Sequence, residues 1–553
     1  MRAIIERILA FSFRKQQTIL SAAGVIMIAV FLSRVLGLLR DRLLAGIFTV
    51  DELGVYFAAF RMPNFIFELL VLGALSTAFI PVFTNFLVKD DEKKAHRMAA
   101  SIINLSLIVT LILLLPLVIF TRQISYLLVP GFNETERELM ISFTRIMLVG
   151  QLVPLMVGNF VTGMLQSYQR FILPSLAPIA YNIGIIIGVL LFAQSLGLYA
   201  AVWGVVIGAI LYLLIQLPLI IHLGYRHEWK LELDNRGVRE VMHLMMPRTF
   251  GLAISQIDTT VDLILASYLG SRSITIFYFA QHLQQLPIGL FGATFAQAAL
   301  PTLSLEGAKK DLESFKKFLL ASMHQILFLV LPASVILIVL RIPVVRLVFG
   351  AARFDWPATV YTGMTLSFFA ISIFAQSLVQ LFARGFYALY DTRTPVIVGV
   401  LSVIINTSAS IVLVSVLHLP VWALAISTSA ASIVNAALLL ILLYRKVNGF
   451  DLHLLLVPPL KMVVASLITG IFLYVPIKLL DRLVFDTTQV VNLLLLTGIA
   501  AFSGLSVYVF LAWFFDIEEV GTFFKLLQKV KRAPRVFFNA TEELVSSDHP
   551  SIS

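Results

Sequence analysis

The sequence predicts an all-α, polytopic membrane protein with about fourteen spanning helices. Three observations carry this. Hydrophobic residues make up 59% of the chain and charged residues only 13%, with a mean hydropathy of +0.94, a balance that soluble globular proteins do not show. Apolar segments of about 20 residues, enough to cross hydrocarbon, recur from end to end. Short patterns also repeat about 220 residues apart: Gly163–Tyr168 with Gly385–Tyr390, Ala78–Pro81 with Ala298–Pro301, and Val202-Trp203 with Val421-Trp422.

The spans fall near 17–39, 54–87, 98–120, 138–167, 172–193, 198–221, 241–268, 274–303, 318–340, 358–389, 395–417, 420–444, 456–479 and 490–515. Pro63, Gly73, Pro154, Pro287 and Gly292 lie inside them, where neighbouring helices tolerate a kink. The repeat offset corresponds to six helices, an even number, so the two copies share one orientation. Two pseudo-symmetric six-helix lobes are expected, with cargo between them and two extra helices at the end. The expected divisions are an interfacial segment 1–16, an N-lobe 17–223, a cytoplasmic linker 224–240, a C-lobe 241–446, a final helix pair 447–515 and a basic tail 516–553. Lys and Arg gather at Lys89–Arg97, Arg226–Arg239, Lys309–Lys317, Arg445-Lys446 and Lys525–Arg535, which places both termini in the cytoplasm. The loop with Arg341, Arg346 and Arg353 is the exception, either a re-entrant piece or an anion-attracting outer rim. Residues 522–532 read as a basic amphipathic helix on anionic inner-leaflet lipid.

Several chemistries are excluded. There is no cysteine, hence no disulfide and no thiol catalysis. No phosphate-binding G-x-x-x-x-G-K-[ST] loop, no metal-ligand spacing and no nucleophile elbow occurs, so neither catalytic residues nor a cofactor is expected. The net charge of +10 reflects cytoplasmic loops rather than nucleic-acid binding.

What remains is charge at membrane depth, which costs about 2.5–3.5 kcal/mol per group at the bilayer centre and therefore marks a wet or protein-lined interior. Arg34, Arg40 and Asp41 close the first span, with Arg34 expected to be the deeper and buried. Arg61, Asn64 and Glu68 share a face of the second, where Glu68 would pair an arginine or gate. Ser255, Asp258, Thr259 and Asp262 share a face of the seventh, and Asn406 and Ser410 lie one turn apart on the eleventh. Such oxygens suit a hard cation or a proton, with Na⁺ at Asp262 the metal candidate; a salt bridge to Arg248 is the structural alternative. His282 sits between Gln281 and Gln285 on the eighth span, and Gln376, Gln380 and Arg384 form a stripe on the tenth, Arg384 near its inner end as an anchor. A cationic interior suggests anionic cargo.

Ser33-Arg-Val-Leu-Gly-Leu-Leu-Arg-Asp41 resembles the S-R-[VIL]-L-G-x-x-R-[DE] signature of the MurJ (MviN) lipid II flippases. Phe60-Arg-Met-Pro-Asn64, Gly73–Pro81 and Leu286-Pro-Ile-Gly289 resemble further patterns of that family and of the wider MOP exporter superfamily. The resemblance implies a MATE-like fold, flipping of undecaprenyl-pyrophosphate-linked disaccharide-pentapeptide to the outer leaflet of the bacterial inner membrane, a role in cell-wall biogenesis and cell shape, and a groove for the lipid tail on the last two helices. Arg34, Arg40, Arg61, Asn64, Arg248 and His282 are then the candidate pyrophosphate contacts. The chain departs from the pattern at Phe67-Glu68 and at His282, where the family carries arginines; Arg248 after Pro247 restores one positive charge. Lipid II, anionic membrane lipids and cell-wall synthesis proteins are the partners this implies, with Na⁺ or H⁺ as the coupling ion. Export of another polyprenyl-linked oligosaccharide or of drugs, and a non-transporting scaffold for cell-wall enzymes, are the alternatives. A drug exporter calls for an acidic cavity, and a scaffold has no need of charge in its core.

Overall fold

A computed structural model describes residues 19–69, 78–89, 91–483 and 489–521, with side chains for all of these except 19–25, 246–248, 250–255, 476 and 480–483. The segment 1–16, the amphipathic stretch 522–532, residues 73–77 of the third motif and the side chains of Arg248 and Ser255 lie outside this description.

All regular elements among the described residues are helices. In chain order they are α1 (Ile19–Ile47), α2 (Val50–Ala59), α3 (Arg61–Phe67), α4 (Ile80–Val88), α5 (Glu92–Ile119), α6 (Thr121–Leu128), α7 (Glu134–Gly150), α8 (Leu152–Ser167), α9 (Ile172–Leu196), α10 (Tyr199–Leu214) and α11 (Leu217–His222). They continue with α12 (Arg236–Tyr268), α13 (Ser271–Pro287), α14 (Thr294–Lys309), α15 (Leu312–Val339), α16 (Arg341–Phe349), α17 (Trp356–Ile371), α18 (Ile373–Ala388), α19 (Arg393–Ile411), α20 (Trp422–Lys446), α21 (Leu452–Leu483) and α22 (Val490–Phe514).

Local chemistry sets the boundaries. Thr49 with Glu52, and Asn133 with Glu136, close reciprocal capping boxes at the starts of α2 and α7. The expected second span is broken at Phe60 into α2 and α3, with Pro63 in the first turn of α3, where its missing N–H is harmless. The first helix continues past its expected end to Ile47, so Arg40 and Asp41 sit inside a helix. After Pro287 the next turn, Ile288–Ala293, widens to a π-helix, a rare geometry inside a helical span.

Ten of the described helical stretches are long and apolar enough to cross a membrane, and the bent pair α17–α18 makes up to eleven. The remaining expected spans, near 17–39, 54–87 and 241–268, carry Arg34, Arg61 and Glu68, and Asp258 and Asp262, with Arg40 just past the first, and each runs into residues outside the description.

The helices gather into two compact units. The first contains residues up to His282 with Val344–Leu366 and Gly399–Ala431; the second contains Leu283–Pro343, Ser367–Val398 and the chain from Ser432 on. Within the first unit α9 and α10 pack closely through facing small residues. A Cβ added to Gly184 would lie 2.3 Å from the Gly208 Cα, and one added to Gly188 would lie 2.4 Å from the Gly204 Cα. Two G-x-x-x-G faces thus meet backbone to backbone. Gly184→Val should force these helices apart, cost about 1–3 kcal/mol and lower the melting temperature of the purified protein. Gly498→Ala, which meets open space, is the neutral comparison; equal melting of the two variants would refute the close-approach reading. Within the second unit α15 is tied to both final helices. His324 Nε2 approaches the Leu454 carbonyl at 2.9 Å, and the Tyr508 hydroxyl donates to the Phe328 carbonyl at 2.9 Å.

Candidate functional site

The first unit encloses the densest charge at membrane depth. Arg40 points across from α1 with two edges of its guanidinium engaged. Its Nε and Nη2 donate to Asp41 Oδ1 at 2.9 and 2.7 Å, and its Nη1 donates to Asn182 Oδ1 on α9 at 3.1 Å. The Asp41 side chain is 0% exposed, and its other oxygen meets His282 Nδ1 at 2.7 Å. One carboxylate therefore joins a fixed cation on α1 to a titratable ring on α13. Two donors of Arg40 converge on one carboxylate oxygen and the imidazole takes the other, so Asp41, which alone of the three is fully shut off from water, depends on both partners.

A second cation stands on α3. Arg61 is buried and donates from Nε to Thr260 Oγ1 at 2.9 Å and from Nη2 to the Gln256 carbonyl at 2.5 Å, both on α12. Glu68 makes no ion pair with it; Gln256 Nε2 donates to the Glu68 carboxylate instead. Of the expected roles of Glu68, pairing with an arginine or gating, a pairing with Arg61 is not formed, and the described partner is the Gln256 amide. The helix bridges two carriers of opposite charge through one glutamine.

Between these groups lies a cavity of about 350 Å³. Arg40, Arg61, Asn64 and Gln281 supply its polar lining, and Tyr56, Phe57, Phe60, Tyr181, Phe277 and Tyr278 much of the rest. The Phe57 and Tyr278 rings stack at 4.0 Å, and Tyr278 lies 4.4 Å from the His282 ring, so aromatic contacts hold α2 against α13 beside the cavity. A larger, open recess of about 590 Å³ at Arg122, Glu134 and Glu138 is lined by charges already paired, Arg122 with Glu138 and Glu134 with Arg137.

The acidic group on α12 is adjacent in sequence to the Arg61 contacts but forms its own cluster. Asn406 Nδ2 donates to Asp258 Oδ1 at 2.9 Å and reaches Asp262 Oδ1 at 3.4 Å. Asp262 is 5% exposed, and neither carboxylate has an ion-pair partner among the described residues. The Asn406 Oδ1 is buried with no hydrogen-bond partner. Ser410 shares a 2.5 Å hydrogen bond with Ser427 on α20. Two carboxylates and an orphaned amide oxygen make a donor-poor, oxygen-rich spot, which fits a hard monovalent cation or a proton.

Several expected residues are placed differently. Arg34 is exposed rather than buried and makes no ion pair among the described residues. The α1 face that carries it is turned away from Arg40's partners, since the two are six positions apart on a 3.6-residue repeat. Asn64 is exposed yet lines the cavity. Arg384 belongs to the second unit, where it donates to the Ala293 carbonyl at 2.9 Å beside the π-helical turn. Asn182, Gln256, Thr260 and the three tyrosines escaped the sequence reading. A lone Asn mid-span, as at Asn182, is a signal that could have been used; the tyrosines carry no pattern that separates them from packing residues.

The family model described as lipid II flippase MurJ matches residues 44–496. The probable lipid II flippase MurJ of Bdellovibrio bacteriovorus is 28% identical over 82% of this chain and 87% of its own length. The protein of that name from Rhizobium meliloti is 28% identical over 80% and 84%. Among solved structures, a lipid II flippase MurJ in an inward closed conformation superposes with a TM-score of 0.70 at 24% identity, covering 87% of this chain and 98% of that one. An inward-facing multidrug resistance MATE transporter of the MOP superfamily gives 0.63 at 16% identity, over 75% and 94%.

Proposed function

The chain belongs to the lipid II flippase MurJ family, and on that premise we propose that it moves lipid II from the inner to the outer leaflet of the bacterial cytoplasmic membrane. The observation that carries this reading is a pair of arginines, half-buried Arg40 and buried Arg61, on the wall of one partly open aromatic cavity. A pyrophosphate bears fixed negative charge and needs planar, permanently charged donors in a low-dielectric setting, which Arg supplies and Lys supplies less well. The tyrosine and phenylalanine walls give a sugar ring flat surfaces and hydroxyl partners. A volume of about 350 Å³ holds a pyrophosphate or one sugar but not a disaccharide-pentapeptide, so the cavity must widen to admit the head group.

Widening is the business of alternating access, with both termini cytoplasmic and Asp258, Asp262 and Asn406 holding the coupling ion, Na⁺ or H⁺. Exposed apolar side chains on α21 and α22 are suited to the polyprenyl tail. Anionic lipids and cell-wall synthesis proteins are the further partners, and peptidoglycan assembly is the process served.

The test is binding by the purified protein of lipid II and of a lipid-linked disaccharide-pentapeptide whose pyrophosphate is replaced by a neutral linker. The parent should bind lipid II the more tightly by roughly 1.5–3 kcal/mol, the worth of charged hydrogen bonds. Arg40→Ala should erase most of that difference, and Arg40→Lys should restore part of it. Equal binding of the two ligands by the parent would refute pyrophosphate recognition.

A further inference from the structure

The segment joining α11 to α12 carries no helix from Tyr225 to Glu232 and is strapped onto α5. Asn104 Nδ2 donates to the carbonyls of both Glu228 and Lys230, at 2.8 and 2.9 Å, and Asn104 Oδ1 meets His227 Nε2 at 2.9 Å. Ser101 Oγ accepts from the Glu232 N–H at 3.2 Å. Two carbonyls that lie two residues apart and face one amide define strand-like backbone, in which alternate side chains share a side. On this strap Trp229 and Leu231 alternate and are exposed, Trp229 to 81%, and Leu233 in the turn that follows is exposed as well.

The face of α5 that holds the strap is the lipid-facing one. Ser101, Asn104, Ile108, Leu111 and Leu115 form one helical stripe, of which Ile108, Leu111 and Leu115 are exposed apolar residues while Ser101 and Asn104 are buried under the strap. Asn104 lies fifteen residues before Ile119 at the far end of α5, about 22 Å at 1.5 Å per residue, against a hydrocarbon thickness of about 30 Å. With the N-terminus inside, the strap is tied near the inner headgroup region, not in bulk cytosol. Its charges match that place. Arg226, Lys230 and Arg236 are exposed, while Glu228 faces Arg97 at 3.8 Å and Asp234 pairs with Arg239.

We propose that Arg226, Trp229, Lys230, Leu231, Leu233 and Arg236 make a binding site for anionic phospholipid of the inner leaflet, with Asp234, paired to Arg239, left on the aqueous side. Trp229, with Leu231 and Leu233, seats at the boundary between headgroups and acyl chains, where an amphipathic ring is most stable. Arg226, Lys230 and Arg236 take the lipid phosphates. The covalent link between α11 and α12 is thereby held to the membrane.

The absence of cysteine makes the test direct. Trp229→Cys and, as a solvent reference, Asp234→Cys, whose parent side chain is 99% exposed, each carry a single bimane label on the full chain in liposomes. In vesicles of phosphatidylethanolamine and phosphatidylglycerol, the label at 229 should be quenched more by nitroxide near the headgroup than by nitroxide deep in the acyl chains. It should also be shielded from aqueous iodide, whereas the label at 234 should not. Replacing phosphatidylglycerol by phosphatidylcholine should cut the lipid quenching roughly fivefold, about one basic side chain's attraction. Adding Asn104→Leu should release the label at 229 to iodide. Equal iodide access at 229 and 234 would overturn the site, and unchanged quenching in phosphatidylcholine would overturn its anionic selectivity.

Discussion

Asp41→Ala should abolish function and leave a measurably weaker fold. The carboxylate is fully buried and holds two groups at once, Arg40 at 2.7 Å and His282 at 2.7 Å. Removing it leaves a guanidinium with no counter-charge in a low-dielectric interior, a change that costs about 3–5 kcal/mol when one partner of a buried pair is lost. His282 loses its oriented hydrogen bond at the same time, which frees α13 from α1. Asp41→Asn keeps the shape and one acceptor, so it should melt closer to the parent while still failing to support growth. His282→Ala leaves the Arg40 pair intact and should be milder than Asp41→Ala. His282→Arg should be tolerated, since Asp41 can fork to either cation. Thermal melting in detergent and rescue of a flippase-depleted bacterium measure both effects. A parental melting temperature and full rescue by Asp41→Ala would remove this cluster from the mechanism.

Asp262→Asn should preserve folding and lipid II binding but abolish the response of transport to Na⁺ or to pH. Asp262 and Asp258 share one amide donor, Asn406, and have no cationic partner among the described residues. A cation or proton bound there favours whichever arrangement of the chain binds it better, and only by that difference in affinity. The membrane potential offers about 2.3 kcal/mol per charge per 100 mV, enough to bias two states. Asp258 is half-buried, so Asp258→Asn should weaken the response rather than remove it. Turnover in proteoliposomes with imposed ion gradients separates the cases. An unchanged ion and voltage response in Asp262→Asn would make Asp262 a structural partner of Asn406 and nothing more.

The fold class was legible because hydrocarbon imposes a blunt requirement, about 20 apolar residues per crossing. The charge at membrane depth was legible for the converse reason. It brought Asp41, Arg40, Arg61 and Asp262 to attention, and the structure places all four in buried or cavity-lining positions. Partner choice was harder. Glu68 and Arg61 share a helix face in sequence, yet Gln256 and Thr260 from a helix almost two hundred residues later divide them, at Arg61–Thr260 2.9 Å. Such a contact depends on tertiary packing, to which one-dimensional spacing is blind. Arg34 was misplaced because depth along a helix was read as burial, while the side it faces was left out. The second span was read as one helix because hydropathy does not register the break at Phe60.

The most direct measurement of the proposed function is the appearance of lipid II in the outer leaflet. A bacterium depleted of its own flippase and expressing this chain should keep its shape and expose lipid II to an externally added enzyme that cleaves it. The same cells expressing the Arg40→Ala variant at equal membrane levels should accumulate lipid II inside and lyse. Lipid II confined to the inner leaflet in cells making the parental chain at normal levels would contradict the proposal.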